Sequence, residues 1–347
     1  MPGKSKIPIW LPYTSDISWQ KDKATFKFKG GVLDIPWSRI SSILFYGAVC
    51  PLDEEFLQLC IRYNIPICIH RRHMSKAIWI TGTTTTNIDD ILTKQIIFRE
   101  NKIKSLHIAR KLLLAKVKSM EWLLPNNKHT IHKIKFAKSV KDLRSIEALH
   151  AVRYWKKYYA KLGNKESERR NRKNVISSVL NAVSKLISGV ILRYITYHKM
   201  SPYHGFMHIP TDYPSLVYDL MEPYRGYIEK NIFETIKGVH KTNRDNKNLV
   251  AFATKGVEDL LDKKVYTHQT RQIVTFQELL HGNILALRAY LLGDAKKFIV
   301  PIPGRPLGGR PKKVGYKLYG RSAGPTDFNI EAERVSKDWV INTDRDK

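Results

Sequence analysis

The sequence predicts an α+β chain, with an N-terminal β-rich domain followed by a larger all-α domain, on three observations. In roughly the first eighty of its 347 residues, apolar and polar residues alternate with the period of half-buried strands. From Ile88 the apolar residues recur at three- and four-residue spacing, the signature of amphipathic helices. After Pro301 the chain turns rich in Gly, Pro and positive charge. These shifts set a β-rich domain over residues 1–83, a linker over 84–88, a helical domain over 89–298 and a basic C-terminal extension over 299–347.

Each element has a local reason. In ATFKFK, Phe26 and Phe28 alternate with Lys27 and Lys29, the pattern of a strand with one face inward. Gly30 and Gly31 supply the positive φ of a tight hairpin before the next strand, VLDI. SSILFYG reads as another strand. DEEFLQLCIRYN reads as a helix with Asp53 as N-cap and acidic first-turn residues that suit the dipole. Asn64 ends it, and IPICIH returns as a strand. TGTTTTN has neither helical period nor core-forming residues and reads as linker. ILTKQIIFRENKIKSLHIARKLLLAKVKSMEWLL is helical throughout. Helical patterns continue to about Gly293, broken by basic polar loops such as GNKESERRNRKN. PIPGRPLGGRPKKVGYKLYGRSAGP reads as extended and solvated, and NIEAERVSKDWV as a short amphipathic close.

Composition narrows the function. With 43% hydrophobic and 26% charged residues, most of the chain is globular rather than disordered. Lys and Arg number 60 against 31 Asp and Glu, a formal net charge of +29. Such a surface attracts polyanions, above all nucleic acid. No uninterrupted apolar run reaches the ~18–20 residues of a membrane span, and MPGKSKIPIWLPYTSDISW lacks the apolar core of a signal peptide. Only three cysteines are present, Cys50, Cys60 and Cys68, with no CxxC pair. The expectation is a cytoplasmic protein without disulfides or a thiolate zinc site.

Against that basic background a few acids stand out. In DLRSIEALHAVRYWKKYYAKL a helix puts Leu143, Glu147, Ala151, Tyr154, Tyr158 and Leu162 on one face. Glu147 thus falls within the stripe that faces the core, where a lone glutamate more often reaches water or an arginine. In SLVYDLMEPYR, Asp219 and Glu222 lie one helical turn apart and repel unless a cation or proton sits between them. Leu216, Val217, Leu220, Met221 and Tyr224 leave little polar face there beyond that pair. His208 follows Gly205-Phe206-Met207 and precedes Pro210, so it sits at a helix end or in a loop. His204 and His208 have the spacing of zinc-protease helices, but HGFMH lacks their glutamate, and Gly205 and Pro210 disfavour that helix. A carboxylate and imidazole set suits Mg²⁺ or Mn²⁺ rather than zinc. On a basic protein, that set points to phosphodiester chemistry.

These motifs resemble the CRISPR-associated spacer-acquisition integrase family, the catalytic subunit of the adaptation complex. SIEALHAVRYW is similar to the family's glutamate segment, KMSPYHGFMH to its GL-x-P-x-x-GFLH signature, and SLVYDLMEPYR to its SLA-x-DLMEPFR signature. DIPWSRISSILFYGAVCPLDEEFLQLCIRYNIPICIH follows its β-domain, and GNILALRAYLLGD its late helix. The resemblance implies Glu147, His208 and Glu222 as metal ligands, Asp219 as an adjacent catalytic acid and Arg225 as a basic residue facing DNA. It also implies a β-domain that pairs two protomers, a Mg²⁺ or Mn²⁺ cofactor, and a small ferredoxin-fold partner subunit. The implied reaction joins the 3′-hydroxyl ends of short donor DNA into a target duplex. Two departures stand out: Ser177 occupies a position where Asn is common, and TDYP lacks a frequent basic residue. The extension has no family counterpart, and its Arg305, Arg310, Lys312 and Lys313 are expected to hold phosphate. A transposon-encoded integrase of the same family (a casposase) is the alternative, and a non-catalytic basic DNA-binding scaffold a more distant one.

Overall fold

The period-two stretch around Phe26 forms the central strand of a meander. Its strands follow β1 (Ile7–Thr14) as β2 (Asp16–Trp19), β3 (Lys23–Phe28) and β4 (Gly31–Pro36), antiparallel in the order β2-β3-β4. Phe26 is buried and Lys27 exposed, while Gly30 and Gly31 take φ of +153° and +134° at the hairpin. This is a computed structural model, and it describes residues 6–71, 74, 76–82, 90–163, 175–241, 249–304, 311–318 and 321–322.

A second sheet has a topology that alternation alone does not reveal. Strand β5 (Ile40–Val49) pairs in parallel with β1 and with β6 (Ile67–His70), and β7 (Ile78–Ile80) closes the edge antiparallel to β6. The β5–β6 crossover is helix α1 (Glu54–Arg62), where the Asp53 carboxylate accepts the N–H of Glu55 at 2.8 Å. Asn64, at φ +51°, ends the turn that follows. Phe26, Trp37, Phe45 and Phe56 fill the space between the sheets.

The helical domain runs through α2 (Ile91–Glu100), α3 (Lys102–Ser119), α4 (Lys128–Phe136), α5 (Val140–Lys161), α6 (Val175–Tyr197), α7 (Ser215–Met221), α8 (Arg225–Lys241), α9 (Leu249–Asp262) and α10 (Phe276–Leu292). The helix predicted across residues 91–124 breaks at Asn101, whose side chain leaves the helical path to accept the N–H groups of Ile103 and Lys104. Helix α6 is long and apolar enough by length and composition to cross a membrane. However, 67% of its apolar window is buried inside the protein, where it packs on β5, α7 and α9 as the core helix. Bonds that tie it to the first domain include Arg193 Nη1 to the Tyr63 carbonyl at 3.0 Å, Asn64 Nδ2 to the Arg193 carbonyl at 3.1 Å and Thr196 Oγ1 to Asn64 Oδ1 at 3.3 Å.

The chain forms the expected strand-rich domain followed by a larger helical domain, with one hairpin, β8 (Lys264–Thr267)–β9 (Gln272–Thr275), set among the helices and the short β10 (Arg321–Ser322) beside β9. One expectation needs correction: a solvated extension does not begin at residue 299. Val300 and Leu318 are buried in the main core and Val314 is buried too, Pro303 bridges to Thr267, and Gln272 Nε2 donates to the Leu318 carbonyl at 3.0 Å. The physical reason is an alternation of Val314, Tyr316 and Leu318 inside a Gly- and Lys-rich stretch. TTTTN, most of GNKESERRNRKN, NIEAERVSKDWV, Arg305 and Arg310 lie outside the described residues. Cys60 and Cys68 are buried free thiols that burial pushes up to about 12, which makes them inert packing groups.

Candidate metal centre

Four segments meet at one point, and two glycines allow it. Pro223 interrupts the helix and sets a 3-10 turn, Glu222–Tyr224, between α7 and α8. Gly226 follows, and a Cβ there would lie 2.0 Å from the Ser119 carbonyl oxygen. Only glycine lets α8 close on α3 in this way, and its N–H donates to Ser119 Oγ at 3.1 Å. That approach sets Glu222 beside Lys116 of α3. Helix α5 begins with a capping box between Ser139 and Asp142, buries Leu143, Tyr154 and Tyr158, and brings Glu147 to the same place.

The loop before α7 supplies the histidine. Asp219 is wholly buried and accepts the N–H groups of Phe206, Met207 and His208 at 2.5, 2.9 and 3.0 Å. Its Oδ1 also accepts from His208 Nδ1 at 2.6 Å. With Nδ1 donating, Nε2 carries the lone pair of the neutral ring. At Gly205 a Cβ would press on the His208 carbonyl at 2.7 Å and on Asp219 Oδ2 at 2.8 Å, so the loop needs glycine here too. One donor atom each from Glu147, His208 and Glu222 then lies within 4.8 Å of the others.

Lys116 stands between the two carboxylates. Its Nζ lies 2.5 Å from Glu147 Oε1 and 2.5 Å from Glu222 Oε2, with only 8% of its side chain exposed. Arg225 Nε donates to Glu222 Oε1 at 3.3 Å. Burial alone would raise the Glu222 pKa, but Lys116, Arg225 and His208 outweigh it and hold the group down at about 2. Burial would likewise lower Lys116, yet Glu222 and Glu147 hold it above its ordinary value. At His208 burial pulls downward, and Asp219, with Glu222 and Glu147 behind it, pulls the pKa above the usual range. His150, under the same site, is driven down to about 4 by burial and by Lys116 and Arg153.

The donor set fits a hard divalent cation. Two carboxylates and an imidazole suit Mg²⁺ or Mn²⁺. Glu222 Oε2 is buried against the Lys116 ammonium at 2.5 Å, so this side of the cluster already answers a cation.

The structure brings together Glu147, His208 and Glu222 as the sequence suggested. Asp219 stands behind the histidine, not beside the other acids. Arg225 is occupied by Glu222 and Ser184 Oγ (3.4 Å) rather than presented to a ligand, because it answers the buried carboxylate one turn away. His204 bonds Ser201 Oγ at 2.7 Å and lies outside the cluster. Lys312 and Lys313 are exposed on the packed C-terminal segment. Sequence reasoning missed Lys116. The available signal was a lysine set among buried residues in LLLAKV, since buried lysine is rare without an acidic partner.

A sequence model of the family described as CRISPR associated protein Cas1 matches residues 12–263, and the chain belongs to that family. No curated protein sequence matches it. A solved casposase bound to an integration product shares the fold with a TM-score of 0.72 at 18% identity, over 96% of this chain and 100% of that one. A Cas1 protein from Thermotoga maritima has a TM-score of 0.68 at 18% identity, over 85% and 99% of the two chains. A TtCas1–DNA complex has a TM-score of 0.56 at 14% identity, over 88% and 99%.

Proposed function

We propose that the protein is a divalent-metal-dependent DNA strand transferase, carried by the convergence of Glu147, His208 and Glu222 within 4.8 Å. These three side chains would hold Mg²⁺ or Mn²⁺. When bound, the cation polarises a scissile phosphate and eases the attack of a hydroxyl on it. In the transfer a 3′-oxygen forms a new P–O bond as the target's own 3′-oxygen leaves with the proton. One phosphodiester replaces another, so no energy source is consumed.

The chain's residues prepare this chemistry. Asp219 fixes the His208 tautomer and ring, as carboxylates behind metal-bound histidines do. Lys116 and Arg225 offset the repulsion between the acids, and Lys116 keeps Glu147 and Glu222 facing one point. The net charge of +29 favours DNA as substrate. The family membership supports a place in CRISPR spacer acquisition in the cytoplasm, with a homodimer joined through the β-domain and a small ferredoxin-fold partner. A Cas6-RT-Cas1–Cas2 complex among the solved relatives is in keeping with such a partner. The casposase likeness, which extends past residue 263 over 96% of the chain, favours transposon-end integration as the second reading.

The test is strand transfer of a 3′-hydroxyl oligonucleotide into supercoiled plasmid with Mn²⁺. Glu147→Ala, His208→Ala and Glu222→Gln should each abolish product while duplex binding persists. Full activity in any one removes that residue from the centre. Donors ending in a CRISPR repeat junction or in inverted terminal repeats separate the two readings by which is joined.

A further inference from the structure

On the flank of α3 turned away from the acids lies a second feature, a cleft of about 350 Å³ between α3, α4 and the C-terminal segment. Five lysines surround it: Lys111 and Lys118 from α3, Lys135 from α4, and Lys297 and Lys312 from the C-terminal segment. No Asp or Glu is among its described lining residues. Its floor is apolar, formed by Leu114, Ile131, Val300 and Ile302. Two of the five lysines lie beyond residue 263, where the family match ends.

We propose that this cleft binds an unpaired nucleotide of a DNA strand, its base on the apolar floor and its flanking phosphates on the lysines. The inference rests on the reading of the protein as a DNA strand transferase. The charge pattern selects an anion. Lys111 is held below its ordinary pKa first by burial and then by Lys297, Arg110, Lys312 and Lys135, a crowding that a bound polyanion relieves. His268 is pushed down to about 4 by burial and then by Lys312, Arg271 and Lys118, so the cationic field extends to this neighbour. The floor selects what accompanies the anion. A duplex shows only its backbone and leaves apolar walls wet, whereas an unpaired base covers them. The volume falls in the ~300–1,000 Å³ range of small-ligand sites. Helix α3 carries Ala115 on the cleft and Lys116, about 100° further round, in the candidate metal centre, so the two sites lie on different flanks of one helix.

The test compares a single-stranded oligonucleotide, a blunt duplex of equal length and inorganic pyrophosphate against the full chain. The variant Lys111→Gln/Lys297→Gln/Lys312→Gln alters three exposed side chains, and thermal melting checks its fold. Its single-strand affinity should drop about tenfold near 0.15 M salt, with the log–log salt slope flattened by about 2, roughly 0.7 per lost contact. Blunt-duplex affinity should change by less than about threefold. Ile131→Lys adds a charge but blocks the floor, so it should weaken single-strand binding and leave duplex binding intact. Equal losses on both DNA probes, or stronger single-strand binding by Ile131→Lys, would overturn the proposal by making the cleft a plain electrostatic surface. Stabilisation by pyrophosphate alone, without single-strand selectivity, overturns it in favour of a free phosphate compound. Full strand transfer by Glu147→Ala sinks the catalytic reading, whereas loss of strand selectivity in the lysine variant alone sinks only this one.

Discussion

The candidate metal centre and the lysine cleft sit on two flanks of the same helix and are built on opposite principles. In the centre the charges are buried or half-buried and each is answered by a named neighbour: Lys116 by Glu147 and Glu222, Asp219 by three N–H groups and His208. In the cleft four of the five lysines are solvent-exposed and repel one another. A buried network fails when one member is removed, because its partner is stranded in low dielectric. A field spread over exposed cations loses its members gradually. The chemistry and the strand-holding proposed for the two sites would thus draw on different electrostatics.

The largest test of that contrast is Glu222→Ala. It leaves Arg225 without its bonded carboxylate and Lys116 with Glu147 alone, and stability should fall by ~3–5 kcal/mol, read by urea unfolding without metal. Adding Lys116→Met should recover part of the loss, because the half-answered ammonium goes too. If the two changes simply add, the pair is not coupled and the contrast breaks. Next comes Asp219→Asn, which replaces an acceptor of four donors by a group that accepts on one side only. Mn²⁺ affinity should drop ~10–100-fold in a calorimetric titration, with DNA affinity kept. Unchanged Mn²⁺ binding would deny Asp219 its orienting role.

A smaller effect concerns pH. His150, His198 and His268 are held at about 4 and His281 at about 3, in each case with burial as the leading cause. Folded, they stay neutral while the unfolded chain takes up protons near pH 6.5. Their stability is therefore present above that pH and is lost as pH falls towards 4. His107 and His204 are lowered by burial as well, and His208 alone among the shifted histidines runs the other way. Melting temperature should decline by at least about 2–4 °C between pH 7 and pH 5, and a flat profile would show these imidazoles to be solvated. The smallest effect is Lys297→Gln alone. It should weaken single-strand binding less than about threefold and flatten the salt slope by about 0.7. A tenfold loss would make the cleft as specific as the centre.

What was legible in the sequence follows the same division. Glu147 showed itself as an acid in an apolar stripe, and Asp219 and Glu222 as acids crowded by Leu and Met, because anomalies of burial leave a local trace. Their meeting with His208 left none, since it depends on how α5, α7 and the preceding loop pack. Lys116 was hidden among 60 basic residues, and only its placement on a buried face set it apart. Alternation identified β3, whereas the parallel pairing of β1 with β5 is long-range and has no local signature. The C-terminal segment misled because Gly, Pro and Lys outweigh the alternating Val314, Tyr316 and Leu318 in any compositional reading.

The Tyr224 phenol donates to the Pro301 carbonyl at 2.7 Å and approaches that of Leu279 at 3.3 Å. Tyr224 belongs to the same short turn as Glu222, and Pro301 lies between Val300 and Ile302 on the floor of the cleft. The two sites therefore share a rivet. If the cleft holds a strand as proposed, any displacement of Pro301 would load the turn that carries Glu222 through this one hydroxyl.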